Sequence, residues 1–108
     1  MTLKFVTTID EERTVKYPTP RVRNPIHPGE ILEEEYLKPS ELSQSEFARR
    51  LGTTHAVVNE ICRGKRGVSP KMALRLAAYF KTSPEMWLSM QLNWDLWQEW
   101  TKLQTKES

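Results

Sequence analysis

Between Ser43 and Arg75 the chain gathers Arg49, Arg50, Arg63, Lys65, Arg66, Lys71 and Arg75 against Glu46 and Glu60 alone, a local balance of +5. Guanidinium and ammonium groups at this density suit the neutralisation of a phosphate backbone, which needs no cofactor. The remaining reactive side chains do not assemble into a catalyst. No carboxylate pair, Ser/His/Asp set, glycine-rich phosphate loop or metal cluster stands at a useful spacing, so neither an enzyme nor a cofactor is expected. His55 precedes Cys62 by two helical turns and His27 is remote in sequence; two ligands do not make a zinc site, and no metal is expected. Cys62 is the single cysteine, which excludes an intramolecular disulfide, and it reads as a small packed residue.

The elements that must position the basic residues are legible around them. Ser43 offers a hydroxyl to cap a helix, and Glu46, three places on, can answer the Ser43 N–H as a capping box. Phe47, Ala48 and Leu51 fall on one face of that helix, and Gly52 follows where the chain must leave it with φ > 0. Thr54 can cap a second helix whose Val57, Val58 and Ile61 recur at helical spacing until Gly64. Ala48 is small enough for two helices to cross closely. The pattern predicts a helix-turn-helix, with an ordinary helical hairpin as the alternative.

The 108 residues have room for one small all-α domain, with a net charge of only +2. Residues 28–42 carry Glu30, Glu33, Glu34, Glu35 and Glu41 against Lys38, a local −4, so opposite faces carry opposite fields. Pro28 opens a first helix with Ile31, Leu32, Tyr36 and Leu37 inward, closed by Pro39. Ser69-Pro70 opens another, expected to bury Ala73, Leu74, Ala77 and Phe80. Ser83-Pro84 opens a fifth. There Trp87, Met90, Trp94 and Trp97 form one apolar stripe and Leu88, Leu92, Leu96 and Leu103 a second. One domain cannot bury both stripes, so a homodimer is expected through the tryptophan stripe. Residues 1–26, with three prolines after Tyr17, read as an extended N-terminal arm, 27–101 as the helical domain and 102–108 as a flexible polar end. With no signal peptide and no membrane-length apolar run, a soluble cytoplasmic protein is expected.

HPGEIL from His27, FARRLG from Phe47, NEICRGKRGVSPKMALRLAAYF from Asn59 and TSPEMWLSMQLNWDLW from Thr82 resemble the HigA-type antitoxin family, within the lambda-repressor-like helix-turn-helix proteins. The resemblance covers about His27 to Trp97. It implies a five-helix domain that binds duplex operator DNA as a dimer and neutralises a RelE-like ribonuclease toxin that cleaves messenger RNA. Carried onto this chain, the DNA-contacting set is Gln44, Ser45, Thr54, His55, Val57, Asn59 and Glu60, with Arg63, Lys65 and Arg66 beside the backbone. Glu60 departs from relatives that often carry a polar donor there: a carboxylate accepts from cytosine N4 but repels phosphate. A cationic toxin would suit the acidic Glu33, Glu34 and Glu35 and the apolar arm residues Leu3, Phe5, Ile9 and Tyr17. A stand-alone regulator with the same motif and no toxin is the alternative.

Overall fold

The computed structural model describes residues 16–107, and five α-helices follow an irregular segment at its start. α1 (Pro28–Ile31) begins at His27, whose Nδ1 accepts the Gly29 N–H at 2.9 Å, a cap that the sequence pattern did not reveal. α1 does not continue as a regular helix to Pro39. Leu32–Leu37 forms a π-helical turn, closed by Lys38 N–H donating to Glu33 O at 3.0 Å. In an α-helix Leu32 and Leu37 would stand about 140° apart, whereas the wider turn directs both inward, each 1% exposed.

α2 (Gln44–Leu51) starts at Ser43, whose Oγ accepts the Glu46 N–H at 3.1 Å, and ends at Gly52 with φ of 81°. The capping box is half realised, because the Glu46 carboxylate turns to Arg49 and Arg50. α3 (His55–Cys62) is capped by Thr54, whose Oγ1 accepts the Val57 N–H at 3.2 Å. Ser69 Oγ caps α4 (Pro70–Phe80) through the Met72 N–H at 3.1 Å. Ser83 Oγ does the same for α5 (Pro84–Glu107) through the Met86 N–H at 3.0 Å. α5 therefore runs on through Lys102 and Leu103, where a frayed end was expected.

Leu32, Leu37, Phe47, Ala48, Val58, Ile61, Val68, Met72, Ala73, Leu76 and Trp87 form the core. Trp87 is its largest member at 0% exposure, with its ring nitrogen donating to Thr82 Oγ1 at 2.8 Å and Tyr36 against its face. Leu74 is 61% exposed, contrary to the expected inward face of α4. Met72, Ala73, Leu76 and Ala77 point inward instead, and Leu74 lies about 200° around the helix from Met72. Gly29 sets the crossing of α1 over α3. A Cβ there would stand 1.6 Å from the Ile61 carbonyl oxygen, so only glycine permits this approach.

Candidate nucleic-acid interface

α3 points Val58 and Ile61 into the core, which turns Ala56 and Arg63 to the opposite side and Asn59 and Glu60 to its flanks. Thr54, His55, Ala56 and Arg63 are exposed. Val57, expected on the reading face, is instead half-buried and packs against the core, and Ala56 takes the outward place. Counting about 100° per residue from Val58 and Ile61 would have found it.

Two of the expected DNA contacts have other partners. Asn59 Nδ2 donates to Gln44 Oε1 at 3.0 Å, and Gln44 Nε2 donates to Glu33 Oε1 at 3.0 Å. The chain of amides and carboxylate ties α3 to the first turn of α2 and to the π-helical turn, so Gln44 and Asn59 fix the angle between the two motif helices. Glu33 is thereby drawn from the acidic surface into this clamp. Beside it the Cys62 thiol is pushed up to about 12, first by burial and then by Glu33, which keeps it protonated and inert. Ser45 remains exposed in the first turn of α2.

Past α3, Gly64 takes a φ of 73°, and the chain folds back so that Lys65 N–H and Arg66 N–H donate to Glu60 O at 2.8 and 3.1 Å. Arg63 and Lys65 are left exposed. Arg66, expected at the phosphates, is hydrogen-bonded to Glu60. Of the remaining cations, Lys71 is exposed in the first turn of α4. Arg49 and Arg50 lie at the far end of α2 and grip Glu46, with Arg50 also donating to Tyr79 Oη at 3.0 Å. Arg50 and then Arg49 hold the Glu46 carboxyl below its usual range. The exposed cations of this stretch that form no ion pair among the described residues, Arg63, Lys65 and Lys71, are thus fewer than the +5 read from composition suggests.

The tryptophan stripe is not a free surface. Trp87 is enclosed in its own domain, Trp94 meets His27 edge-on at 5.1 Å, and Trp97 packs on Trp100 at 5.1 Å. Met90 and the segment from Val22 to Ile26 line one groove. Residues 16–26 pack along α5 and cover part of the surface that was expected to need a partner. Trp100 Nε1 donates to Tyr17 O at 3.3 Å, and Tyr17, Pro18 and Pro20 face Leu96, Trp100 and Leu103 across a groove of about 300 Å³. On α5 the exposed large apolar side chains belong to the second stripe, Leu92 at 63% and Leu96 at 49%. On the acidic side, Glu34 pairs with Lys38 at 2.8 Å and Glu35 is exposed. Leu3, Phe5 and Ile9 lie outside the described residues.

The sequence profile of the helix-turn-helix family matches residues 34–87. Virulence-associated protein I of Dichelobacter nodosus is 49% identical over 71 residues, 66% of each chain. Two similar solved structures are of antitoxins with DNA. The Pseudomonas aeruginosa antitoxin HigA with the higBA promoter superposes with a TM-score of 0.73 at 38% identity, over 77% of this chain and 90% of that one. Antitoxin GraA in complex with its operator gives 0.72 at 40% identity, over 85% and 90%.

Proposed function

Because the chain belongs to the HigA-type antitoxins of the helix-turn-helix family, we propose that it binds its own operator as a two-fold dimer and neutralises a RelE-like ribonuclease. The observation that carries the DNA half is the outer face of α3. Thr54, His55 and Ala56 are exposed there with Glu60 on the flank, and Arg63 and Lys65 are exposed just beyond, which suits the first group to base edges and the second to phosphates. The first turns of α2 and α4 add the positive ends of two helices, which suit phosphate oxygens. The clamp of Glu33, Gln44 and Asn59 holds this surface rigid before DNA arrives.

The dimer is proposed to form through Leu92 and Leu96, the most exposed large apolar side chains of α5. A two-fold protein calls for a pseudo-palindromic operator. The toxin is proposed to approach the acidic surface at Glu34 and Glu35 and to be held by Leu3, Phe5, Ile9 and Tyr17, away from α3. Toxin and operator could then be bound together. A ribonuclease that grips messenger RNA is cationic, and acidic side chains speed its encounter.

The deciding experiment is fluorescence anisotropy with a duplex from the chain's own promoter across a series of salt concentrations. Lys65→Ala should weaken binding to all sequences and make the slope of log affinity against log salt shallower by roughly one unit. An unchanged slope would remove Lys65 from the interface. For the partner, co-expression with the adjacent reading frame and purification of a stable complex is the expected result; a chain that always purifies alone would leave a stand-alone regulator.

A further inference from the structure

Glu60 is acceptor-only, yet it sits among the side chains proposed to meet DNA, where an isolated carboxylate would be repelled by the phosphates. The structure supplies a local answer. Arg66 Nε and Nη2 both reach the same oxygen, Glu60 Oε1, at 2.9 and 2.7 Å. The pair does not depend on a flexible side chain finding its partner, because the backbone delivers Arg66 to Glu60. Gly64 reverses the chain with a φ of 73°, and the N–H groups of both Lys65 and Arg66 close onto the Glu60 carbonyl. Both side chains stay accessible, Arg66 at 49% and Glu60 at 43%. The guanidinium at Oε1 offsets the charge that both carboxylate oxygens share, and among the described residues no donor reaches Oε2.

We infer that Glu60, neutralised by Arg66, selects a cytosine in each operator half-site by accepting its N4 amino group on Oε2. The inference rests on the reading of α3 as the base-contacting helix and adds which base it specifies. Among the four base edges of the major groove, only cytosine and adenine present an amino donor. Adenine sets the N7 acceptor beside its N6 amino group, so a carboxylate that approaches it meets a second lone pair. Cytosine has no acceptor next to N4 on its major-groove edge. A lone acceptor thus matches a C·G pair better than an A·T pair. Arg66 acts here through Glu60 as a positioning residue: it sets the charge and the orientation of the carboxylate.

The test is selection from a duplex library randomised across the site, carried out with the full chain and with Glu60→Gln, Glu60→Ala and Arg66→Ala. Circular dichroism melting of each protein serves as a fold control. The wild type should enrich a motif with one C·G pair preferred about tenfold over the other bases in each half. Glu60→Gln should shift that one position to A·T, because the amide adds the donor that adenine N7 requires, and leave the rest of the motif in place. Glu60→Ala should lose the preference at that position alone. Arg66→Ala should keep the cytosine while lowering affinity for the selected duplex about tenfold, since the carboxylate is then unneutralised. The same motif from wild type and Glu60→Gln would overturn the inference and leave Glu60 with the structural task of holding the turn. Loss of the cytosine in Arg66→Ala would overturn the division of roles between the two residues. A wild type that melts cooperatively but enriches no motif would instead remove the base-reading assignment of α3 on which the inference stands.

Discussion

Gly29→Ala is the perturbation that tests the packing of the domain most directly. In most helices this change stabilises, by about 0.5–1 kcal/mol, because alanine loses less backbone entropy on folding. Here the added methyl would lie 1.6 Å from the Ile61 carbonyl oxygen, 2.5 Å from its carbon and 3.0 Å from Cys62 Cα. An ordinary C···O contact is roughly 3.3 Å, so α1 must retreat by more than about 1.5 Å from the last turn of α3. All three neighbours are backbone atoms, so no side-chain rotation relieves the clash. Overpacking of this kind costs about 1–3 kcal/mol, and a rigid neighbour puts it at the upper end. Net of the propensity gain, a loss of about 2 kcal/mol is expected, which for a domain of this size lowers Tm by roughly 8–16 °C. The displaced turn carries Glu60 and Arg63. Operator affinity should therefore fall even well below the melting transition. Circular dichroism melting and anisotropy on the same protein read both effects. A Tm that stays level or rises would refute the close crossing of α1 and α3.

His27 makes stability depend on pH. Burial lowers its pKa from the ordinary 6.5 against the opposing pull of Asp95, and Nδ1 must stay unprotonated to accept from Gly29. The unfolded chain takes up the proton more readily, so this contribution is complete above about pH 6.5 and is lost as pH falls from there through the lower folded value. Urea midpoints between pH 7.5 and 5 should fall less steeply in His27→Asn, which keeps an acceptor cap without titrating; parallel slopes would count against this role. Leu92→Glu should leave the fold intact, because this side chain is 63% exposed and lies outside the groove that faces Tyr17 to Pro20, and give a monomer in sedimentation. A dimer that persists would place the interface elsewhere. Trp87→Ala should cost about 3–5 kcal/mol and bring the domain near the edge of stability, measured as a urea midpoint, whereas a small loss would mean that Tyr36 and Phe80 collapse into the space.

The caps at Ser43, Thr54, Ser69 and Ser83 and the left-handed exit at Gly52 were legible because each is decided within four residues of itself. That much was enough to place α3 and the basic residues after it. What was not legible depends on a second element. Leu32 and Leu37 call for the π-helical turn only because the core lies beneath both. Gln44 reads as a solvent-facing first-turn residue until Asn59 and Glu33 are brought to it across the fold. The tryptophan stripe reads as apolar and needing cover, and part of that cover is the same chain: the core takes Trp87, and His27 meets Trp94. The pairing of Glu60 with Arg66, six residues apart around a glycine turn, is outside the range of i, i+4 helix spacing.

The hydrogen bond from Trp100 to Tyr17 joins residues 83 apart in sequence, and this fixes an order of events on the ribosome. Tyr17 to Pro20 leave the exit tunnel before any helix of the domain, and their seat on α5 leaves after the others. At about 5–20 residues per second the segment waits roughly 4–17 s for Leu96, Trp100 and Leu103 to be synthesised. α1 to α4 can close their shared core in that interval, apart from the place of Trp87. Emergence of α5, rather than the folding of the motif helices, is then the step that docks the proline segment, and a nascent chain stalled before Leu96 would present Tyr17 to Pro20 with no seat at all.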